Sequence, residues 1–378
     1  MKHGVERTRR VLLLAAGGLW AGARPAVAAE PAPSVSPAAA AAPAGSPAQP
    51  QNASGLRPIR VALAAPHSLY HLPLLLADQL GYFRHAGLHL AWLALPSGAQ
   101  ALAALQAGQA DVLSGAFEHS LHSAAQGLPV QAFFMFARTP QISLGISSRL
   151  QGPLSEGQLN LRELRVGITA LASGTHGVAA QWLMQAGVAP DQARFVEVGA
   201  GPAAAEALRT GQIDVLCNPD PQMNGLEQRG DLRLLAETRS LSGTRKLFGG
   251  LVPGACLQSR LSVLMRQAPM VQALCDGLAQ SLRWLQTAGP TDILRTVPST
   301  GWMGDRAVYL GAFERLRETY VTDGRLDEQA VGLAWEHHQR LQGQRGGLQA
   351  PRARPFTNEF ALRATATRRP QSLRARLP

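Results

Sequence analysis

The sequence ALQAGQADVL, residues 104–113, returns 103 positions later as ALRTGQIDVL, residues 207–216. Both copies follow the pattern Ala-Leu-x-x-Gly-Gln-x-Asp-Val-Leu. The part before Gly is typical of a helix end, because Gly supplies the left-handed cap that helix ends favour. The apolar residues after Asp predict a short buried strand. A long repeat at one fixed distance indicates an internal duplication.

The duplication extends upstream of the repeated segment. Short apolar strands are predicted at Arg60–Leu63 and Arg165–Ile168, 105 positions apart. After each strand comes a helix that ends at Gly87 or Gly187, and then a second strand. The unit is therefore β-α-β-α-β, a parallel sheet with helices on both faces. Two such units predict an α/β protein whose two lobes enclose a cleft, because ligands of such sheets bind at the carboxyl ends of the strands.

The 378 residues carry a formal net charge of +11, and this charge is concentrated at the ends. Residues 1–29 carry +4 and residues 340–378 carry +8, which leaves −1 for residues 30–339. The folded part is thus close to neutral, which argues against nucleic-acid binding. A hydrophobic content of 46% excludes disorder throughout. No apolar run reaches the roughly 20 residues of a spanning helix, which excludes a multi-pass membrane protein.

Residues 1–29 have the organisation of a secretory signal peptide. A basic start precedes the short apolar stretch Val11–Trp20, and Ala26-Val27-Ala28 supplies a small-x-small cleavage pattern. The pair Arg9-Arg10 resembles a twin-arginine export signal. An ordinary secretory signal that happens to hold an Arg pair is the alternative. We therefore expect a periplasmic protein whose mature chain starts near Ala29.

Two further segments are too poor in apolar periodicity to build a core. Residues 30–55 contain six Pro and nine Ala, which predicts a disordered, partly polyproline linker. Residues 343–378 are rich in Arg and Pro, which predicts a basic disordered tail. A weak attachment of this tail to anionic lipid or polymer is the alternative.

The region around the first predicted helix carries motifs of a known family. Residues 73–88, PLLLADQLGYFRHAGL, resemble a signature of periplasmic solute-binding proteins, in which a helix leads into Gly-Tyr-Phe and then Gly-Leu. The resemblance continues in order and spacing at Ser97-Gly98, Gly127–Val130, Leu161–Gly167 and Thr322–Gly324. It is to the SsuA/THI5-like (NMT1) group and covers about residues 57–340. Members of this group serve importers for sulfonates, taurine, nitrate and thiamine precursors.

The chain departs from this group in two respects. Leu161–Arg165 stands where the group usually has Leu-Lys-Gly-Lys-Lys, and Lys occurs only at positions 2 and 246. The fungal thiamine-precursor enzymes that are similar in outline carry a Cys-rich cluster, which this chain lacks. Their chemistry is therefore not expected here.

The resemblance implies a substrate-binding protein of an ABC importer with the two-lobed type II periplasmic-binding-protein fold. It implies a first lobe at 56–143, a second lobe at 144–246, and a return to the first lobe with C-terminal helices at 247–342. Crossovers are expected near 138–146 and 246–257. The implied mechanism is capture of a small-molecule ligand by hinge closure, followed by docking on a permease with its ATPase. We expect a monomer without enzyme activity, which meets the inner membrane only through the permease.

Candidate ligand-binding residues lie in the loops that follow the predicted strands. They are Tyr70, His71, Ser97, Gly98, Ser114, Phe117, Glu118, Ser173, Gly174, Thr175, His176, Asn218 and Asp220. Helix starts have free N–H groups, so Ser97-Gly98 and Ser173–Thr175 suit an anion, although plain helix capping explains the same residues. An ordinary turn is the alternative for the loops at 65–71 and 218–221. Arg138, near the expected crossover, is a further anion candidate.

Two ligand classes remain open from the sequence. An organic anion, with sulfonate ahead on family resemblance, would be held by helix starts and hydroxyls, because Lys is nearly absent. A pyrimidine- or thiamine-precursor-like heterocycle would instead be held by Phe117, Glu118 and Asp220. The alternative for Glu118 is a simple complement to its helix dipole. A ligand-sensing subunit and an enzyme on the same fold are the other functional classes.

No cofactor or metal is expected. The His pairs 67/71, 85/89, 119/122 and 337/338 have no carboxylate or Cys set at ligand spacing. No Gly-x-Ser-x-Gly motif is present to support Ser-His-Asp catalysis. The chain has three cysteines, Cys217, Cys256 and Cys275, so one disulfide could form. Cys256 and Cys275 are the pair nearest in sequence.

Overall fold

The computed structural model describes residues 56–150, 152, 159–302, 304–343 and 350–366. Its strands are β1 (Arg57–Ala64), β2 (Leu88–Leu95), β3 (Val112–Ala116), β4 (Val130–Met135), β5 (Ile142–Ser147), β6 (Arg165–Ile168), β7 (Arg194–Glu197), β8 (Val215–Pro219), β9 (Leu232–Glu237) and β10 (Ala255–Arg260). They form two five-stranded sheets, with the orders β2-β1-β3-β10-β4 and β7-β6-β8-β5-β9. We call residues 57–135 with β10 the first lobe and residues 142–237 the second lobe.

The two sheets repeat one topology, which confirms the α/β class and the two β-α-β-α-β units. In each sheet the first three strands are parallel, as predicted. The sheets are nevertheless mixed, because β10 is antiparallel to β3 and β4, and β5 is antiparallel to β8 and β9. These two strands follow the segments 136–141 and 238–254, where the chain passes between the lobes.

Helices flank both sheets and join the lobes. They are α1 (Leu72–Gln79), α2 (Tyr82–His85), α3 (Gly98–Gln106), α4 (Glu118–Ala125), α5 (Gly174–Gln185), α6 (Pro202–Thr210), α7 (Gln222–Gln228), α8 (Leu241–Phe248), α9 (Leu261–Arg266), α10 (Ala268–Thr287), α11 (Pro290–Thr296), α12 (Arg306–Leu316), α13 (Glu328–Leu341) and α14 (Glu359–Ala366). Short 3-10 turns lie at Leu69–His71, Ser148–Leu150, Pro190–Gln192, Ser299–Trp302 and Arg317–Thr319. Helix α13 contacts α4 of the first lobe and α5 of the second.

The duplicated Asp residues have the same structural role in both lobes. Asp111 and Asp214 each accept hydrogen bonds from the guanidinium of an Arg in the first strand of their lobe, with shortest distances of 2.7 Å for Arg60 and 2.7 Å for Arg165. Each carboxylate also accepts from the backbone N–H of the same Arg, at 3.0 Å and 2.9 Å. The repeated Asp thus ties the third strand of its lobe to the first.

The prediction of a disordered tail from residue 343 is wrong for residues 350–366. Helix α14 lies against α10, and Phe356, Phe360 and Ala361 are buried in the core of the first lobe. The backbone N–H of Ala132 in β4 donates to the carbonyl oxygen of Pro355 at 2.9 Å. The prediction relied on the net positive charge of this segment. The burial of its apolar residues outweighs that charge.

Other sequence predictions fall partly outside the described residues. The signal peptide at 1–29 and the linker at 30–55 lie outside them. None of the described helices is long and apolar enough to cross a membrane. Cys217, Cys256 and Cys275 are buried and free, so the Cys256–Cys275 disulfide is absent.

Candidate functional site

A cavity of about 70 Å³ lies between the two lobes, at the carboxyl ends of their parallel strands. It is lined from the first lobe by Ala64, Ala65, Ser68, Tyr70, His71, Pro96, Gly98, Ser114, Gly115, Ala116 and His119. The second lobe contributes Ile142, Thr169, Ser173, Gly174, Thr175, Ala200 and Pro219. Seven of the thirteen predicted residues thus line one cavity: Tyr70, His71, Gly98, Ser114, Ser173, Gly174 and Thr175.

Two helices from opposite lobes begin at this cavity. The Oγ of Ser97 accepts from the N–H of Gln100 at 3.3 Å and caps α3, so Ser97 has the capping role and Gly98 lines the cavity. Ser173 caps α5 in the same way, accepting from the N–H of His176 at 3.4 Å. The first N–H groups of a helix have no partner within it, and each helix start has about half a positive charge. The two starts therefore make the cavity suitable for an acceptor or an anion.

His71 and Ser114 form a buried pair in the first lobe. Nε2 of His71 lies 2.8 Å from the carbonyl oxygen of Ala64, and Nδ1 lies 2.8 Å from Oγ of Ser114. A carbonyl oxygen can only accept, so Nε2 holds the proton. Burial lowers the pKa of His71 to about 4, so at neutral pH Nδ1 is bare and accepts from the Ser114 hydroxyl. The remaining lone pairs of Ser114 Oγ are then available as an acceptor in the cavity.

Three hydroxyl groups of the second lobe bond mainly to one another. Oγ of Ser173 donates to the carbonyl oxygen of Ala170 at 2.6 Å. Oγ1 of Thr175 accepts from the N–H of Thr169 at 2.9 Å and lies 2.8 Å from the hydroxyls of both Thr169 and Ser173. The network holds the loop before α5 in place and uses the hydroxyl protons. The N–H groups at the helix start are therefore the main donors left for a ligand.

Phe117 and Glu118 do not line the cavity. Phe117 is fully buried in the core of the first lobe, where the phenyl ring cannot stack on a ligand. Glu118 begins α4, and its Oε2 atom is buried without a hydrogen-bond partner among the described residues. Burial raises the pKa of Glu118 to about 7. Its carboxyl faces a neighbouring cavity of about 30 Å³, also lined by His337 and His338.

The remaining predicted residues serve the second lobe itself. His176 packs edge-on against Phe195, with ring centroids 4.6 Å apart, and its Nδ1 accepts from the N–H of Ala172. Asn218 is fully buried and donates to the carbonyl oxygen of Gly199 at 3.3 Å.

Asp220 and Arg138 also lie outside the cavity lining. The Asp220 carboxylate is buried 3.6 Å from the guanidinium of Arg239, and burial raises its pKa despite that partner. It lines an adjoining cavity of about 180 Å³. Arg138 donates to the carbonyl oxygen of Tyr320 at 3.3 Å, so it holds the crossover rather than an anion.

Three polar lining residues were not predicted: Ser68, His119 and Thr169. His119 was considered only as half of a metal pair, yet its Nε2 would lie 2.5 Å from any Cβ at position 98, so Gly98 is required for this close approach. Thr169 directly follows β6, a position that the strand-end rule could have identified. Within the described residues, no Lys or Arg lines the cavity, and no group of three His, Cys, Asp or Glu is placed to hold a metal.

The fold and the position of the cavity define a periplasmic-binding-protein-type solute-binding protein. The NMT1/THI5-like family model matches residues 68–241. A solved structure of a protein from Bordetella bronchiseptica RB50 is 32% identical, with a TM-score of 0.76, over 82% of this chain and 97% of that one. The chain belongs to the NMT1/THI5-like family of solute-binding proteins of ABC import systems.

More distant solved structures share the fold. The alkanesulfonate-binding protein SsuA from Xanthomonas axonopodis pv. citri, bound to MOPS, is 21% identical with a TM-score of 0.61, over 81% of this chain and 99% of that one. The periplasmic nitrate-binding protein NrtA from Synechocystis PCC 6803 is 13% identical with a TM-score of 0.55, over 67% and 69%. No curated protein matches the chain.

Proposed function

We propose that this protein captures a small organic anion between its lobes and delivers it to the permease of an ABC importer. The observation that supports the anion most strongly is the meeting of two helix starts, at Gly98 and Gly174, in one cavity from opposite lobes. Each start supplies free N–H donors and about half a positive charge. Hydrogen bonds to a charged group contribute about 1.5–3 kcal/mol each.

The size and lining of the cavity favour a small head group with one negative charge. A volume of about 70 Å³ is several times the roughly 10–15 Å³ that one water molecule needs in a cavity, so a sulfonate or carboxylate group fits within it. No cationic side chain among the described residues lines the cavity, so none balances a second negative charge on a ligand. We therefore place the head group between the helix starts at Gly98 and Gly174, with Tyr70, His71, Ser114, Ser173 and Thr175 as the surrounding wall.

A neutral or cationic nitrogen heterocycle is the second candidate. It is favoured by the acceptor that Ser114 Oγ presents to the cavity and by the unpartnered Glu118 carboxyl nearby. Phe117 contributes nothing to this alternative, because it is fully buried in the core. The remainder of such a ligand would extend into the cavity beside Asp220.

Export and partners form part of the same proposal. Residues 1–29 would direct the chain to the periplasm, with Arg9-Arg10 favouring the twin-arginine route. The mature protein would act as a monomer and would meet the membrane only through a permease and its ATPase.

The ligand class is tested by titration calorimetry with an isosteric pair, methanesulfonate and neutral methanesulfonamide. The proposal predicts that methanesulfonate binds more tightly, with one site per chain. Mass spectrometry of compounds released by denaturation then identifies the natural ligand. Preference for the sulfonamide, together with release of a nitrogen heterocycle, would overturn the anion and support the second candidate.

A further inference from the structure

Glu118 of the first lobe reaches the first turn of α5 in the second lobe. Its Oε2 lies 3.7 Å from the position of a Cβ at Gly174, and its Oε1 lies 3.9 Å from that of a Cβ at Gly177. Two glycines three positions apart thus give α5 a bare face, against which the Glu118 carboxyl packs. This carboxyl lies beside the same helix start that the proposed anion would use.

Among the described residues no cationic side chain pairs with this carboxyl, and the hydrogen bond that lowers its pKa comes from the backbone N–H of Glu118 itself. The Tyr70 hydroxyl, from the 3-10 turn, and the Cys256 thiol, from β10, face it, and the pKa of each is raised by burial and by Glu118. From α13, His337 and His338 share its small cavity, and burial lowers the pKa of both. These neighbours are therefore neutral near pH 7.

His119 and His122 are the titratable side chains nearest in sequence to Glu118 on its own helix. His119 is buried, which lowers its pKa to about 4. His176 of α5 packs on Phe195 instead of facing the carboxyl. Within the described residues, a negative charge on Glu118 is thus stabilised by two helix starts, that of its own helix α4 and that of α5, and the second is also the proposed anion site.

We propose that closure of the two lobes around an anion takes up one proton at Glu118, which makes this residue the pH-dependent specificity determinant of the cleft. The inference rests on the proposed function. When the lobes separate, α5 no longer covers the carboxyl, which water then solvates and which ionises in the usual range. When they close, desolvation and the arriving anion both favour the protonated form. The closed complex therefore contains a proton that the open protein lacks.

The linkage has a defined direction. The pKa of Glu118 is higher in the closed state, at about 7, than in a solvated state, so closure is most favourable at low pH. Affinity should fall about tenfold per pH unit between about pH 5 and 7, and level off above that range. A ligand that is itself neutral lacks the direct repulsion and should show a smaller dependence.

The experiment measures methanesulfonate binding from about pH 5 to 8 in two buffers of different ionisation enthalpy, which reports proton uptake. Glu118→Gln keeps the shape of the side chain and removes the titration. Glu328→Gln is the matched control, because Glu328 is also in the first turn of a helix but is exposed. Wild type and Glu328→Gln should take up nearly one proton near pH 6, whereas Glu118→Gln should take up none and bind independently of pH.

The carboxyl ¹³C chemical shift of Glu118 provides a second measurement on the wild type. The pH at the midpoint of its titration should rise when methanesulfonate is added. Equal proton uptake by wild type and Glu118→Gln would overturn the inference while leaving the anion-binding function intact. If methanesulfonate binds neither protein at any pH in the series, the proposed anion class fails, and the inference fails with it.

Discussion

The hydroxyl of Ser68 in the first lobe donates to the backbone carbonyl oxygen of Asp220 in the second lobe, at 3.1 Å. The N–H of Leu69 donates to the same oxygen, also at 3.1 Å. Two hydrogen bonds thus close the edge of the cavity that lies after β1 and β8. Because they join groups on different lobes, they exist only when the lobes are together.

Ser68→Ala should weaken closure without unfolding the protein. Loss of the hydrogen bond between the lobes costs about 0.5–1.5 kcal/mol, so methanesulfonate affinity should fall about two- to tenfold. The variant also removes the bond that Oγ accepts from the N–H of Tyr70, but that bond is local to the 3-10 turn. Small-angle scattering should show less compaction at a given methanesulfonate concentration. Ser242→Ala, at an exposed position, is the control and should behave as wild type. Unchanged affinity and compaction in Ser68→Ala would show that this contact does not contribute to closure.

Gly174→Ala and Gly177→Ala should differ, although both add one methyl group to the same helix. A Cβ at 174 would lie 3.0 Å from Cβ of Ala116 in the first lobe, whereas a Cβ at 177 would lie 3.9 Å from Glu118. Gly174→Ala should therefore hold the lobes apart and weaken methanesulfonate binding at least tenfold. Gly177→Ala should bind normally and gain up to about 1 kcal/mol of helix stability. Equal affinities in titration calorimetry would contradict the close lobe contact.

Ser114→Ala should distinguish ligands that donate a hydrogen bond from those that do not. The Ser114 hydroxyl donates to Nδ1 of His71, so its oxygen is left as an acceptor. Taurine has an ammonium donor that propanesulfonate, of similar length, lacks. Taurine affinity should fall about tenfold, which is the loss of one charged hydrogen bond, while propanesulfonate changes less than about twofold. The same loss for both compounds would mean that Ser114 only shapes the cavity.

The segment at 350–366 should be needed for stability. Phe360 is 3% exposed, and its ring centroid lies 6.1 Å from that of Phe133 in β4. Phe360→Ala should lower the free energy of unfolding by about 3–5 kcal/mol. Leu362→Ala, on the same helix but 46% exposed, is the control and should cost less than about 1 kcal/mol. Denaturant unfolding measures both, and equal stability of the two variants would contradict the packing of α14.

Local sequence patterns were sufficient to predict the architecture. The repeat at 104–113 and 207–216 contains a helix end, a turn and a strand, all of which are encoded by neighbouring residues. Strand-end positions then placed Gly98, Ser114 and Ser173–Thr175 near one another, because the carboxyl ends of parallel strands meet. These positions follow from the order of the strands and do not depend on side-chain partners.

The sequence was less informative where distant side chains decide the role of a residue. Phe117 follows a strand end, yet its ring turns into the core, and Asp220 is paired with Arg239, nineteen positions later. The pair of His71 and Ser114 joins two separate loops. In the tail, Phe356 lies just before α14 and Phe360 lies in it, but nine Arg over residues 340–378 dominated the prediction. Such outcomes depend on tertiary packing, which no local pattern specifies.

We propose that the cleft at the start of α5 holds the ligand. The most direct test titrates wild type and Thr175→Asp with the compound that mass spectrometry identifies after its release from the denatured protein. Thr175 is 3% exposed in the cavity wall, so an Asp there places a negative charge at the proposed anion site. Thr210→Asp makes the same change at an exposed position of the second lobe and is the control. We expect one site per chain in wild type and Thr210→Asp, and at least a hundredfold loss of affinity in Thr175→Asp. Wild-type affinity in a folded Thr175→Asp variant would contradict it.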